Sequence, residues 1–213
     1  MDSLRIGMVG AQFAAHLHLH NIKPLRGKRV EILAIASRTR SQAEKTAKEF
    51  GIPEVVDDYR RLLDRKDIHA VDLCLPTDLH HEFIIQAAQA GKHIICEKPL
   101  TGYFGKDRPE DLVGLAVPRE TMYREAMANC SAVADAVRTS GVQFCYAENW
   151  VYAPPLAKLK NLMRSSGGTV MDIRAEESHS GSHAAYSRKW KTAGGGSLLR
   201  LGAHPVSAVL HVK

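Results

Sequence analysis

Glu97-Lys98-Pro99 places a carboxylate, an ammonium and a rigid imino acid directly after the apolar run His93-Ile94-Ile95-Cys96, so a charged lysine stands at the end of what reads as a buried strand. A cation held there can stabilise the negative charge that develops on an alcohol oxygen as hydride leaves its carbon. Pro99, with its fixed φ, suits a turn that delivers the lysine. The alternative is a structural ion pair between Lys98 and Glu97. A second polar stretch, Glu177-Ser178-His179-Ser180-Gly181-Ser182-His183, precedes Trp190 and the triple glycine Gly194-Gly195-Gly196, with His204 beyond. His179, His183 and His204 could bind a metal only if His179 and His183 shared a helix face, and Gly181 argues against that helix, so no metal is expected. His179 and His183 are expected to line a substrate pocket instead. Asn149, Trp150 and Tyr152 add the amide, stacking and hydroxyl surfaces that suit a sugar ring.

Groups so far apart in sequence need a sheet to gather them. Strand-like and helix-like periods alternate through the first half: Arg5 to Val9, Ala14 to Ile22, Val30 to Ala36, Ser41 to Phe50, Ala70 to Leu75, Leu79 to Ala90 and His93 to Cys96. That alternation predicts an α/β fold with repeated βα units wound on a mainly parallel sheet, a doubly wound Rossmann domain. In a dinucleotide fingerprint the three glycine places fall on Gly10, Gln12 and Ala15, of which only Gly10 fits strictly. The cofactor pyrophosphate is expected against Gly10, Gln12, Phe13 and Ala14, with an ordinary turn at Gly7 and Gly10 as the lesser alternative.

After the second strand the sequence reads Ala36-Ser37-Arg38-Thr39-Arg40, without the acidic residue that accepts the ribose hydroxyls of NAD. Ser37 and Arg38 suit a 2′-phosphate, which favours NADP over NAD; a solvated arginine at a helix start is the bland alternative. The fourth strand ends in Leu75-Pro76-Thr77 with His80 one turn on, and strand C-termini are where doubly wound folds put ligands. Leu75, Pro76, Thr77 and His80 are therefore expected to face the nicotinamide end, together with Glu97 and Lys98.

The 213 residues are 45% hydrophobic, enough for a real core, and carry a net charge of +6 with histidine neutral. The basic residues scatter over predicted helix surfaces without an aromatic-interleaved stripe, so a nucleic-acid partner is not expected. No window holds eighteen uninterrupted apolar residues and no signal-like segment opens the chain, which predicts a cytoplasmic protein without a membrane partner. Cys74, Cys96, Cys130 and Cys145 lack paired spacing and read as buried free thiols.

From Thr101 to Pro118 glycine and proline predict a long loop with one helical turn, and Arg119 to Thr139 predicts a helix, with a last strand of the first domain at Val142 to Ala147. Domain boundaries are placed at 1–147 and 148–213. In the second part, Pro154-Pro155 opens a helix, Thr169 to Glu176 alternates as a strand, and a helix is expected from Gly196 to the end. One strand and two helices cannot bury a core by themselves, so a truncated second domain is expected.

Pro76-x-x-x-His80, Ala90-Gly91-Lys92-His93, Glu97-Lys98-Pro99, and the triple glycine followed by Gly202-Ala203-His204 occur in one fixed order. That ordered set resembles the Gfo/Idh/MocA family of sugar and inositol dehydrogenases over essentially the whole chain. The resemblance implies a Rossmann domain followed by an α/β domain with an open, mainly antiparallel sheet through which such proteins often associate. It also implies catalysis by Lys98 and His204, with Lys98 touching both nicotinamide and substrate, and a pocket to which Tyr152, His179, His183 and Arg200 contribute. In the family pattern an aspartate stands where this chain has Arg200. Another acid, Glu148, Glu176 or Glu177, must then partner His204, or Arg200 itself binds a substrate group. The resulting expectation is a nicotinamide-dependent oxidoreductase acting on a ring hydroxyl of a sugar, glycoside or cyclitol. The alternative is a dinucleotide-binding regulator or inactive fragment without turnover.

Overall fold

The computed structural model describes residues 3–25, 29–109, 112–181 and 184–213, and among these, short apolar runs bounded by glycine, proline or charged residues form six strands. In chain order the elements are β1 Leu4–Val9, α1 Phe13–Ile22, β2 Val30–Ala36, α2 Arg40–Phe50, β3 Glu54–Val56, α3 Arg60–Leu63, β4 Ala70–Leu73, α4 Thr77–Gln89 and β5 His93–Cys96. There follow α5 Val113–Ala116, α6 Arg119–Ser140, β6 Phe144–Tyr146, α7 Pro154–Ser166, α8 Trp190–Ala193, α9 Ser197–Arg200 and α10 Ala203–Val212. The strands make one sheet in the order β3-β2-β1-β4-β5-β6, and every pairing is parallel. The expected mainly parallel sheet is thus wholly parallel. Its order steps outward in both directions from β1 and β4, so the C-terminal ends of β1 and β4 flank the crevice where such sheets bind ligands.

Each face of the sheet carries its own core. Ile6, Met8, Ile32 and Ile35 pack with Ala15, Leu19, Ala43 and Phe50 from α1 and α2, while Val9, Val71, Leu73 and Ile94 pack with Ile84, Ala87, Ala88 and Val133 from α4 and α6. Fully buried side chains such as Ile84 and Leu19 each contribute roughly 1.5–3 kcal/mol by transfer from water. Gly10, at φ +112°, is required by sterics: a Cβ there would lie 2.2 Å from the carbonyl oxygen of Cys74. The glycine lets the chain leave β1 across the end of β4. Cys74 and Cys96 are buried as expected, whereas Cys145 is exposed.

After β6 the chain leaves the sheet. Thr169 to Glu176, expected as a strand, is exposed and forms no regular element, because the described residues after Tyr146 form no second strand to pair with it. The helix expected to run unbroken from the triple glycine is also split, between Arg200 and Ala203. Pro205 explains the break: it has no N–H for the Leu201 carbonyl, which accepts instead from His204 N at 3.1 Å in a tighter turn. Upstream, Gly194 closes α8 at φ +76° and lies against Gly102, where a Cβ would sit 2.4 Å from the Gly194 carbonyl oxygen. Tyr103 N donates to that carbonyl at 2.9 Å, and Trp190 Nε1 donates to the Tyr103 carbonyl at 2.7 Å. These backbone contacts seat the glycine segment on the loop that follows Pro99.

Candidate active site

Lys98 lies just past β5, in the turn closed by a cis bond to Pro99. His80 holds that turn from below. It is fully buried, with Nδ1 2.8 Å from the Pro99 carbonyl and Nε2 2.9 Å from the Leu75 carbonyl. Both ring nitrogens are engaged with backbone, so His80 ties the end of β4 to the lysine turn and offers no free nitrogen to a ligand. Burial lowers its pKa, against the opposing effect of the two carbonyls.

Lys98 forms no ion pair with Glu97, contrary to the structural alternative. Among the described residues its Nζ donates to the Arg200 carbonyl at 3.1 Å. That carbonyl is free because of the helix break: its regular helical donor would be His204 N, which is committed to Leu201. The missing N–H of Pro205 therefore leads, through one displaced hydrogen bond, to an anchor for Lys98. Burial lowers the lysine pKa from its ordinary value, with the Arg200 cation adding to it against the opposing fields of Glu97, Glu177 and Glu148.

Glu97 belongs to a different network. Its Oε2 accepts the Lys98 backbone N–H at 3.0 Å, and His18 Nε2 lies 3.1 Å from Oε1. His18 Nδ1 in turn sits 2.9 Å from both oxygens of Asp72, a carboxylate with no exposure in the middle of β4. Burial opposes a charge on His18, but hydrogen bonds to Asp72, Cys74 and Glu97 together outweigh it and raise the pKa far above that of an ordinary imidazole. His18 is thus a partly buried imidazolium bridging α1, β4 and the Lys98 turn. Its atoms, with those of Asp72 and Cys74, have the spacing of metal ligands, but each His18 nitrogen already makes hydrogen bonds at these distances. The sequence reading missed the network, although a charged Asp72 inside the apolar run Ala70-Val71-Asp72-Leu73-Cys74 is a visible signal of it.

Removing the imidazole strands two carboxylates, one of them fully buried. His18→Ala is expected to lower the unfolding free energy by about 3–5 kcal/mol in urea titrations. A loss under about 1 kcal/mol would mean that the network is not ionic. Although burial pushes its pKa up, the His18 bond holds Glu97 below its ordinary value. The stabilising contribution of Glu97 is therefore present above the usual glutamate range and fades as pH falls through the lowered value.

His204, one turn beyond Arg200, is buried, and its Nδ1 makes a very short hydrogen bond to Oε1 of the buried Glu148. The Trp150 backbone N–H donates to the same oxygen at 3.1 Å, and the Trp150 ring lies 5.6 Å from the imidazole at a 39° tilt. Of the three acids that could replace the family aspartate, the structure brings Glu148 to the histidine. With Nδ1 taken, Nε2 is the nitrogen left to exchange a proton. Lys98, Arg200 and His204 are brought together. Tyr152 is 80% exposed, and His179 is exposed with its Nδ1 accepting from Gly181 N, so neither is directed to this group. His183 lies outside the described residues.

The expected cofactor residues line up along the C-terminal edge of the sheet: Gly10 to Ala14 after β1, Ser37 and Arg38 after β2, and Leu75 to Thr77 after β4. Thr77 is buried, so its side chain is closed to solvent. The first hydrogen bond at the start of α1 is His16 N to the Gln12 carbonyl, and Gln12 makes no side-chain cap. The amides of Phe13, Ala14 and Ala15 therefore remain as donors at the positive end of the helix, which fits a pyrophosphate. Arg38 is exposed and without an ion-pair partner among the described residues, while Arg40 is held by Glu44 at 2.8 Å.

Residues 4–117 match the family model for oxidoreductases with an NAD-binding Rossmann fold. The chain belongs to the Gfo/Idh/MocA oxidoreductase family. Levoglucosan dehydrogenase from Pseudarthrobacter phenanthrenivorans is 39% identical over 106 residues, 47% of this chain and 27% of that protein. Among solved structures, an oxidoreductase from Thermotoga maritima superposes with a TM-score of 0.76 at 30% identity, covering 99% of this chain and 60% of its own. A 3-ketoreductase from Actinomadura kijaniata, solved with NADP and TDP-benzene, gives a TM-score of 0.60 at 26% identity over 78% of this chain and 43% of its own. The chain thus spans at most 60% of these relatives. Family membership carries the nicotinamide-dinucleotide Rossmann fold with it, and no helix among the described residues is long and apolar enough to cross a membrane.

Proposed function

We propose that this chain carries the reacting centre of an NAD(P)-dependent oxidoreductase acting on a hydroxyl or keto group of a sugar, glycoside or cyclitol. The observation that carries the reading is the buried His204–Glu148 pair set one turn from the residue that anchors Lys98. Lys98 holds the substrate oxygen and stabilises its negative charge. His204 exchanges the hydroxyl proton through Nε2, and Glu148 fixes the ring tautomer and supports the imidazolium. The nicotinamide supplies the hydride acceptor or donor. Gly10 and the amides of Phe13 and Ala14 would hold the pyrophosphate, with Gln12 beside them, and Leu75, Pro76 and Glu97 would border the nicotinamide. Residues 148–213 begin the substrate domain, whose open, mainly antiparallel sheet would also join copies of the protein, and neither nucleic acid nor membrane takes part.

A dinucleotide-binding regulator without turnover draws its support from Arg200 standing where the family has an aspartate. The Glu148 contact weakens that support, because it restores an acid to His204. The two readings separate on titrating NADPH and NADH into the 213-residue chain by tryptophan-to-nicotinamide energy transfer, with a polyol panel assayed alongside. Binding with turnover is expected. Binding without turnover would favour the regulator, and a folded chain that binds neither nucleotide would overturn both.

NADP is the proposed cofactor, because Arg38, just past the end of β2, has no ion-pair partner among the described residues and has Ser37 beside it. Arg38→Ala should weaken NADPH about 10- to 100-fold, the loss of a charge-assisted contact to phosphate, and NADH by less than about threefold. Equal weakening of both would show that Arg38 does not read the 2′-phosphate.

A further inference from the structure

We propose that Arg200 anchors a carboxylate subsite, so that the substrate is an acidic sugar of the uronic or aldonic acid class rather than a neutral polyol. The proposal rests on the reading of Lys98 and His204 as the reacting pair. Arg200 sits between them: its own carbonyl receives Lys98 Nζ at 3.1 Å, and His204 follows one turn later. Nη1 of Arg200 is buried without a hydrogen-bond partner, and among the described residues its guanidinium joins no ion pair. Its side chain instead lies over the ring of Tyr186, 5.2 Å from the centroid. A cation–π contact of this kind leaves the N–H donors of the guanidinium unspent.

The surrounding charges leave the same vacancy. Oε1 of Glu148 is held by His204 and the Trp150 N–H while its buried Oε2 has no hydrogen-bond partner, and although Glu148 and Glu177 both act on Lys98, neither forms an ion pair with Lys98 or Arg200 among the described residues. A buried donor without a partner is costly and two neighbouring cations repel, so the site favours an incoming anion. Two coplanar oxygens match the guanidinium fork. With Lys98 reserved for the reacting oxygen, Arg200 alone is left to neutralise the anion, and a single charge suits a carboxylate better than a phosphate dianion.

The test is calorimetric binding of D-glucuronate, its neutral isostere D-glucuronamide and D-glucose 6-phosphate to the full 213-residue chain. Glucuronate is expected to bind at least about tenfold more tightly than glucuronamide, as a charge-assisted bond to arginine implies. Arg200→Gln should bring the ratio near one, and Arg200→Lys should keep part of it. The subsite is overturned if the wild-type chain binds the two equally, if the preference survives in a folded Arg200→Gln protein, or if glucose 6-phosphate binds most tightly with the same dependence on Arg200. Should Arg200→Gln fail to fold, the wild-type ratio and Arg200→Lys decide the matter. Turnover separates this inference from the broader one. Neutral polyols oxidised with the same kcat/KM as glucuronate would remove the subsite and leave the oxidoreductase, whereas an Arg200-dependent preference in a chain that binds no nicotinamide would do the reverse.

Discussion

Lys98→Ala is expected to lower kcat on the best sugar substrate by about 10²- to 10³-fold while leaving the nicotinamide dissociation constant within about threefold of wild type. The size follows from where the ammonium sits. It is half-buried, so its field on a developing alkoxide is screened less than that of a surface lysine. It is also anchored by a backbone carbonyl rather than a carboxylate, which orients Nζ without neutralising it. Glu97, the neighbouring acid, is occupied by His18 and by the backbone N–H of Lys98. Lys98→Arg should rescue little, since a planar guanidinium cannot occupy the position of a compact ammonium in the turn closed by Pro99. Single-turnover hydride transfer, followed by nicotinamide absorbance, is the measurement that checks this. A Lys98→Ala protein that binds cofactor and turns over at the wild-type rate would remove the catalytic role.

Glu148→Gln is expected to cost a comparable or larger factor, about 10²- to 10⁴-fold in kcat, with KM and nucleotide affinity little changed. The amide keeps the shape of the carboxylate but can present an N–H to Nδ1 of His204. The ring proton then moves to Nε2, which can no longer accept the substrate proton. Even where the amide oxygen faces Nδ1, the imidazolium formed during alcohol oxidation loses its counter-charge. Glu148→Asp, which restores the charge on a shorter stem, should recover part of kcat. A role confined to folding predicts a different result: both variants would lose stability together, and kcat per folded molecule would stay constant. Steady-state kinetics and urea titrations on the same preparations tell the two apart.

Much of the Rossmann half was legible because its signals are local. Strands such as Val30–Ala36 and His93–Cys96 are short apolar runs, α2 follows the first and α4 precedes the second with helical spacing, and parallel pairing follows from the alternation of strands and helices. Lys98 was legible because it stands at a strand end, where a doubly wound sheet gathers its ligands. The single helix expected to follow the triple glycine failed at Pro205, whose missing donor rearranged the bonds of Leu201 and Arg200. The strand expected at Thr169 to Glu176 failed for another reason: alternation records a residue pattern, but a ladder needs a neighbour.

The sequence by itself determined the parallel α/β architecture, the strand ends that carry Gly10, Arg38, Pro76 and Lys98, and the acid vacancy that Arg200 creates beside His204. Only the tertiary structure decided which acid fills it and what holds the lysine. Glu148 reaches His204 across 56 residues, and Lys98 reaches the Arg200 carbonyl across 102. His18 joins Asp72 and Glu97 from a different helix altogether. Spacing along a chain encodes helix faces and strand ends, because those repeat every few residues. Contacts between distant segments depend on how the elements pack and on which backbone groups a break such as that at Pro205 leaves unpaired.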